Sequence, residues 1–99
     1  MSIRITCINK AEGRHDDPHT AISHLGWVDE ATGKTGKSTR IEIYEWLKAK
    51  DDNQAYVRDK YGNVAYLYPR ENQYGTKYVQ TYADKKWTDN LLALAECAN

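Results

Sequence analysis

The 99-residue chain contains no phenylalanine, a single methionine and only two cysteines, and its 14 Lys and Arg are balanced by 14 Asp and Glu. That balance excludes an overall field able to draw the protein to phosphate backbones or anionic lipid and leaves only local patches. No apolar run approaches the roughly 18 residues that cross a bilayer. The start Met-Ser-Ile-Arg-Ile-Thr-Cys-Ile has neither the basic lead nor the long apolar core of a signal peptide, so the expected location is cytoplasmic. In such a reducing compartment Cys7 and Cys97, at opposite ends of the chain, are expected to be packed or incidental thiols rather than a bridge. There is no internal repeat or low-complexity segment, and the length suits one domain.

What the chain has instead is eight Tyr and three Trp. Each couples a large ring to a polar atom that needs a partner or water, which places such residues at core edges and contact surfaces. Periodicity gives the organisation. Ile3, Ile5 and Cys7 alternate with Arg4, Thr6 and Ile8 as in a half-buried strand, with Cys7 on the inward face. Lys10 to Pro18 reads as a loop, and His19 to Leu25 as a short helix because Ile22 and Leu25 fall three apart.

Asp29 to Lys37 reads as an exposed loop. Thr39-Arg-Ile-Glu42 fits a capping box for a helix to about Lys50, with Ile43, Trp46 and Leu47 on one face, widened by Ile41 and Tyr44. Thr39, Ile41 and Ile43 also alternate with Arg40 and Glu42, which keeps a strand open there. Ala55–Arg58, Val64–Tyr68 and Lys77–Tyr82 then show a period of two and read as three strands joined by turns at 59–63 and 69–76, hence antiparallel neighbours. Tyr66 and Tyr68 oppose Ala65 and Leu67, so one surface of this meander carries a row of tyrosines. Trp87 to Cys97 suits a short helix or turn over one end of the sheet.

Three sets of residues invite chemistry. Ala31-Thr-Gly-Lys-Thr-Gly36-Lys37-Ser38 matches a relaxed phosphate-loop pattern, but the strand before it is short and polar and hairpins follow, so a flexible, basic, Gly-rich loop is expected. His15, His19 and His24 offer metal-ligand types, without a spacing that fixes a common face and without a supporting Cys pair, so no metal or other cofactor is assigned. Either cysteine with His19 or His24 supplies a nucleophile and a base, and Asp84, Asp89 and Asn90 surround Trp87. Turn formation by Asp84 and capping by Asp89 or Asn90 account for the latter group, and no catalytic residue is assigned.

The block Lys77-Tyr-Val-Gln-Thr-Tyr-Ala-Asp-Lys-Lys-Trp-Thr-Asp-Asn-Leu-Leu-Ala-Leu-Ala-Glu-Cys97, taken with Ile5-Thr-Cys-Ile8 and the His19 to Ile22 step, resembles the small bacterial family called domain of unknown function 3892. The resemblance covers nearly the whole chain. It implies a compact single domain and carries no chemistry to transfer.

The expected fold is therefore α+β: a mainly antiparallel sheet of three or four strands, one principal helix at about residues 40–50 and a closing C-terminal segment. The expected function is non-enzymatic association with an unidentified protein partner, as an accessory or inhibitor, through a surface of Tyr66, Tyr68, Tyr78, Tyr82, Lys85, Lys86 and Trp87. Rings with adjacent cations equally suit single-stranded nucleic acid, the rival reading, and the core of a Phe-free domain is the alternative place for the rings. A small enzyme with a His or Cys site stands third. Unpaired strand edges leave a homodimer open.

Overall fold

The computed structural model describes residues 1–11, 18–83 and 85–97. Strands β1 (Ser2–Lys10), β2 (Ile22–Val28) and β3 (Thr35–Thr39) form one antiparallel meander, and β4 (Gln54–Arg58), β5 (Val64–Glu71), β6 (Lys77–Ala83) and β7 (Lys86–Thr88) form another. Helix α1 (Arg40–Ala49) links them in the chain. Parallel pairing of β1 with β4, from Ser2↔Gln54 to Arg4↔Tyr56, fuses the meanders into a mixed seven-stranded sheet of order β3-β2-β1-β4-β5-β6-β7. The α+β class holds, whereas the expected three or four strands are corrected to seven. The 29–37 segment is a turn followed by the edge strand β3, and the expected helix at His19 to Leu25 is a 3-10 turn, Pro18–Ala21, followed by β2.

Two bulges explain why β1 and β2 misled a simple alternation. On β1, Ile5 pairs with Trp27 but Cys7 pairs with Gly26, so Thr6 is the extra residue. Ile3, Ile5 and Ile8 are consequently the buried set, and Cys7 is rotated off the face it would otherwise share with Ile3 and Ile5. On β2, His24 pairs with Asn9 and Ile22 with Lys10, which makes Ser23 the extra residue. The bulge brings Ile22 and Leu25, three apart, onto the same core face, where both are fully buried.

Helix α1 starts as its sequence dictates. The Thr39 hydroxyl accepts from the Glu42 amide at 3.1 Å, and the Glu42 carboxylate accepts from the Thr39 amide at 2.9 Å. Ile43 and Tyr44 are buried and Trp46 and Leu47 partly so, while Ile41 is exposed. In the first turn Arg40 donates from Nε to the Lys77 carbonyl at 2.8 Å, and from Nη1 to the Ile22 carbonyl at 3.1 Å and to the Thr20 carbonyl. Since β2 and β6 have three strands between them in the sheet, one guanidinium reaching the start of both requires a strongly curled sheet. The core lies inside that curl, where Ile5, Ile8, Ile22, Leu25, Val79 and Leu91 are essentially inaccessible.

The closing segment combines β7 with a 3-10 turn, Asn90–Ala93, whose Leu91 is fully buried. Beyond it the chain runs parallel to β1 where β4 no longer does: the Ile8 amide donates to the Ala95 carbonyl and the Cys97 amide to the Ile8 carbonyl, each at 3.1 Å. Cys97 is there disulfide-bonded to Cys7. The expectation of two unbridged thiols is thus overturned, because the β1 bulge turns Cys7 toward a segment 90 residues away.

Candidate functional site

Strand register lines up the rings. Tyr56 stands opposite Tyr66, Tyr66 opposite Tyr82 and Tyr82 opposite Trp87, so one aromatic row crosses β4, β5, β6 and β7. Directly paired residues project to one side of a sheet, here the side opposite Ala55, Val57, Ala65 and Leu67. Tyr82 and Trp87 meet at 5.0 Å between ring centroids, and Tyr56 and Tyr66 at 6.0 Å. Tyr68, two residues along β5, places its ring edge-on to Tyr82 at 6.1 Å and to Trp87 at 6.2 Å. Tyr66, Tyr68, Tyr82 and Trp87 retain 41%, 46%, 37% and 41% of their surface in solvent. Two sets of touching rings, Tyr56 with Tyr66 and Tyr68 with Tyr82 and Trp87, thus form an exposed apolar surface that also carries phenol groups.

Both ends of the row carry arginines that the fold already engages. Arg70 lies with its guanidinium carbon 4.1 Å from the Trp87 ring centroid, and its Nη1 donates to Gln80 Oε1 at 2.8 Å. Gln80 in turn donates to the Thr88 carbonyl at 3.2 Å. At the other end Arg58 lies 5.7 Å from the Tyr56 ring centroid and 3.3 Å from Glu30, which also pairs with Arg4 at 3.2 Å. The Tyr56 hydroxyl donates to Glu30. That hydrogen bond, followed by Arg58 and Arg4, holds the Glu30 carboxyl below its ordinary range, and the same bond with burial and the Glu30 charge pushes the Tyr56 phenol up.

Of the seven residues expected at the surface, Tyr66, Tyr68, Tyr82 and Trp87 come together. Tyr78 does not: it is 5% exposed, with its ring 6.2 Å from that of the buried His19 and 5.7 Å from the Arg70 guanidinium. Lys86 pairs with Ala83 and alternates with Trp87, so it projects from the other side of β7. Lys85 is exposed in the adjoining turn with φ of 67°. The sequence reading missed Tyr56, although its alternation with Ala55 and Val57 carried the same signal as Tyr66 between Ala65 and Leu67.

The other expected motifs separate. Lys37 and Ser38 lie in β3, where the Ser38 hydroxyl accepts from Trp27 Nε1 at 3.1 Å, and a side chain on Gly36 would overlap the Trp27 ring. The apparent phosphate loop is therefore a turn at residues 31–34 running into an edge strand packed by tryptophan. His19 Nε2 lies 3.8 Å from Asp89, while His24 Nδ1 is 3.0 Å from the Ser23 hydroxyl. Among the described residues no three His, Cys, Asp or Glu are arranged to hold a metal ion. His15, Asp16, Asp17 and Asp84 lie outside the described residues. No helix is long and apolar enough to cross a membrane among the described residues.

Among the described residues, fold and surface together define a small α+β domain with one α-helix, a curled mixed sheet and an open aromatic row. The model of the family described as Protein of unknown function (DUF3892) matches residues 4–95, and the chain belongs to that family. No curated protein and no solved structure matches.

Proposed function

We propose that the protein is a non-enzymatic interaction module, an accessory or inhibitor, that docks a protein segment on the Tyr56–Tyr66–Tyr82–Trp87 row and the adjoining Tyr68. The supporting observation is the row itself: Tyr68, Tyr82 and Trp87 in mutual edge contact and Tyr66 against Tyr56, with roughly two-fifths of the surface exposed at Tyr66, Tyr68, Tyr82 and Trp87. Pre-ordered tyrosine and tryptophan side chains lose little further freedom on binding, and such residues dominate the energy of protein interfaces. A single-stranded nucleic acid needs cations free to follow its phosphates beside the stacking rings. Here Arg4 and Arg58 are paired with Glu30, Arg70 is occupied by Gln80 and Trp87, Lys86 faces away, and Lys85 is left exposed in the turn before β7, a single cation where a phosphate backbone needs a line of them. Protein is accordingly preferred as the partner.

The test immobilises wild-type protein and a Tyr66→Ser/Tyr82→Ser variant and passes native lysate over both, with and without nuclease. A protein retained after nuclease by the wild type alone, while the variant keeps a cooperative unfolding transition, is the expected result. Retention removed by nuclease, with affinity falling steeply as salt rises, transfers the surface to nucleic acid. Equal retention by both proteins removes the aromatic row from the function.

A further inference from the structure

The C-terminal strap fills a place in the sheet that belongs to another strand. β4 accompanies β1 only from Ser2 to Arg4, and farther along that edge the Ile8 amide and carbonyl bond to Ala95 and Cys97. Asn9 adds a side-chain bond from Nδ2 to the Cys97 carbonyl at 3.4 Å. Leu91 anchors the strap in the core, and the covalent hold is the Cys7–Cys97 disulfide. Gly26, opposite Cys7 in β2, leaves the room the two sulfurs occupy.

The disulfide is within reach of solvent species. Cys7 and Cys97 line an open depression of about 520 Å³ together with Thr6, Gly26, Gly36 and Lys37. A small dithiol can enter there as its thiolate, which Lys37 on the rim favours electrostatically. One of its sulfurs bonds to a cysteine sulfur and the Cys7–Cys97 bond breaks. The second thiol then displaces the first cysteine, so the dithiol leaves as a cyclic disulfide and its two protons end on Cys7 and Cys97.

We propose that this disulfide is a redox latch: reduction releases the strap from β1, and the vacated edge accepts residues 90–97 of a second copy, giving a strand-exchanged homodimer. The choice of occupant follows from complementarity already present. A strand for this slot needs an apolar anchor at the depth of Leu91, backbone groups matching those of Ile8 and a cysteine in bonding position to Cys7, and every other copy of the chain carries all three. Exchange of an identical element re-forms the native contacts, so its principal cost is association. The inference stands independently of the aromatic row, which lies on other strands.

Equal amounts of nitrogen-14 and nitrogen-15 protein are mixed at high concentration, either never reduced or after treatment with a dithiol, then re-oxidised, sized and digested. The expected result is a disulfide-linked dimer in the reduced sample alone, joined by Cys7–Cys97 peptides, with isotopes mixed in half of the dimers. Three outcomes overturn the proposal: re-oxidised protein that is entirely monomeric; dimers linked through Cys97–Cys97; and reduced monomer, held at a concentration too low for dimers, whose Ile8 and Cys97 amides exchange with solvent as slowly as in the oxidised form. A Cys7→Ala/Cys97→Ala variant supplies a control without covalent trapping. It is expected to show concentration-dependent dimerisation, and a strictly monomeric variant with a native sheet also overturns the proposal.

Discussion

Gly26 and Cys7 are register partners on adjacent strands, and a methyl group on the glycine would occupy the space of the cysteine sulfur. The glycine is required here by crowding, because the disulfide crosses β2 at this point. Gly26→Ala is expected to destabilise the oxidised protein by about 1–3 kcal/mol, the usual cost of overpacking. In a Cys7→Ala/Cys97→Ala background most of that cost should vanish. Urea denaturation of the four proteins in the double-mutant cycle measures the coupling.

Arg40 joins strands that never pair. Its replacement by Met keeps an unbranched stem reaching as far as Nε but leaves the Lys77, Ile22 and Thr20 carbonyls without the guanidinium donor. The expected loss is about 1–3 kcal/mol, accompanied by faster amide exchange at the start of β6. Arg40→Lys should fall between, since one ammonium cannot reproduce the planar fork.

The capping box has an acid dependence of definite sign. Hydrogen bonds from Thr39, first from its amide, and then the charge of His24 lower the Glu42 pKa relative to its ordinary value. The carboxylate form therefore stabilises the fold above the ordinary carboxylate range, and that contribution is lost as pH falls through the lowered value. Thr39→Ala is expected to cost about 1 kcal/mol at neutral pH. Glu42→Gln should flatten the acid limb of a stability-versus-pH curve measured by denaturant unfolding.

Glu30 and Tyr56 give the alkaline counterpart. The phenol pKa is raised chiefly by its hydrogen bond to Glu30, so the neutral phenol stabilises the fold below the ordinary tyrosine range, and the contribution disappears as pH rises through the raised value. Near-ultraviolet titration should show a phenol ionising above the ordinary range that Tyr56→Phe removes and Glu30→Gln brings down.

The sequence disclosed what is local. Thr39 and Glu42 are three residues apart and specify the start of α1, and the alternations Ala55-Tyr-Val57 and Ala65-Tyr-Leu67 reveal which rings face outward before any partner strand is known. β2 was hidden because its bulge sets Ile22 and Leu25 at a helical spacing, and the Thr6 bulge equally disguised Ile8 as an outward residue. A bulge is defined by two strands together and leaves little trace in one of them. The disulfide is harder still: it depends on that bulge and on a partner 90 positions along the chain. In the same way Tyr78 carried the alternation of an outward ring, but the arrival of His19 from another part of the chain covers it.

The parallel seam along β1 has a consequence for synthesis. β1 is made before the residues it pairs with on one side, 54–56 and 95–97, which leave the ribosome much later. The β1–β3 meander can close early, but the nascent chain must carry part of the β1 edge unpaired through the translation of β2 to β7. Pairings of such wide sequence separation slow folding, and the interval in which a neighbouring nascent chain can claim that edge ends only when Cys97 emerges.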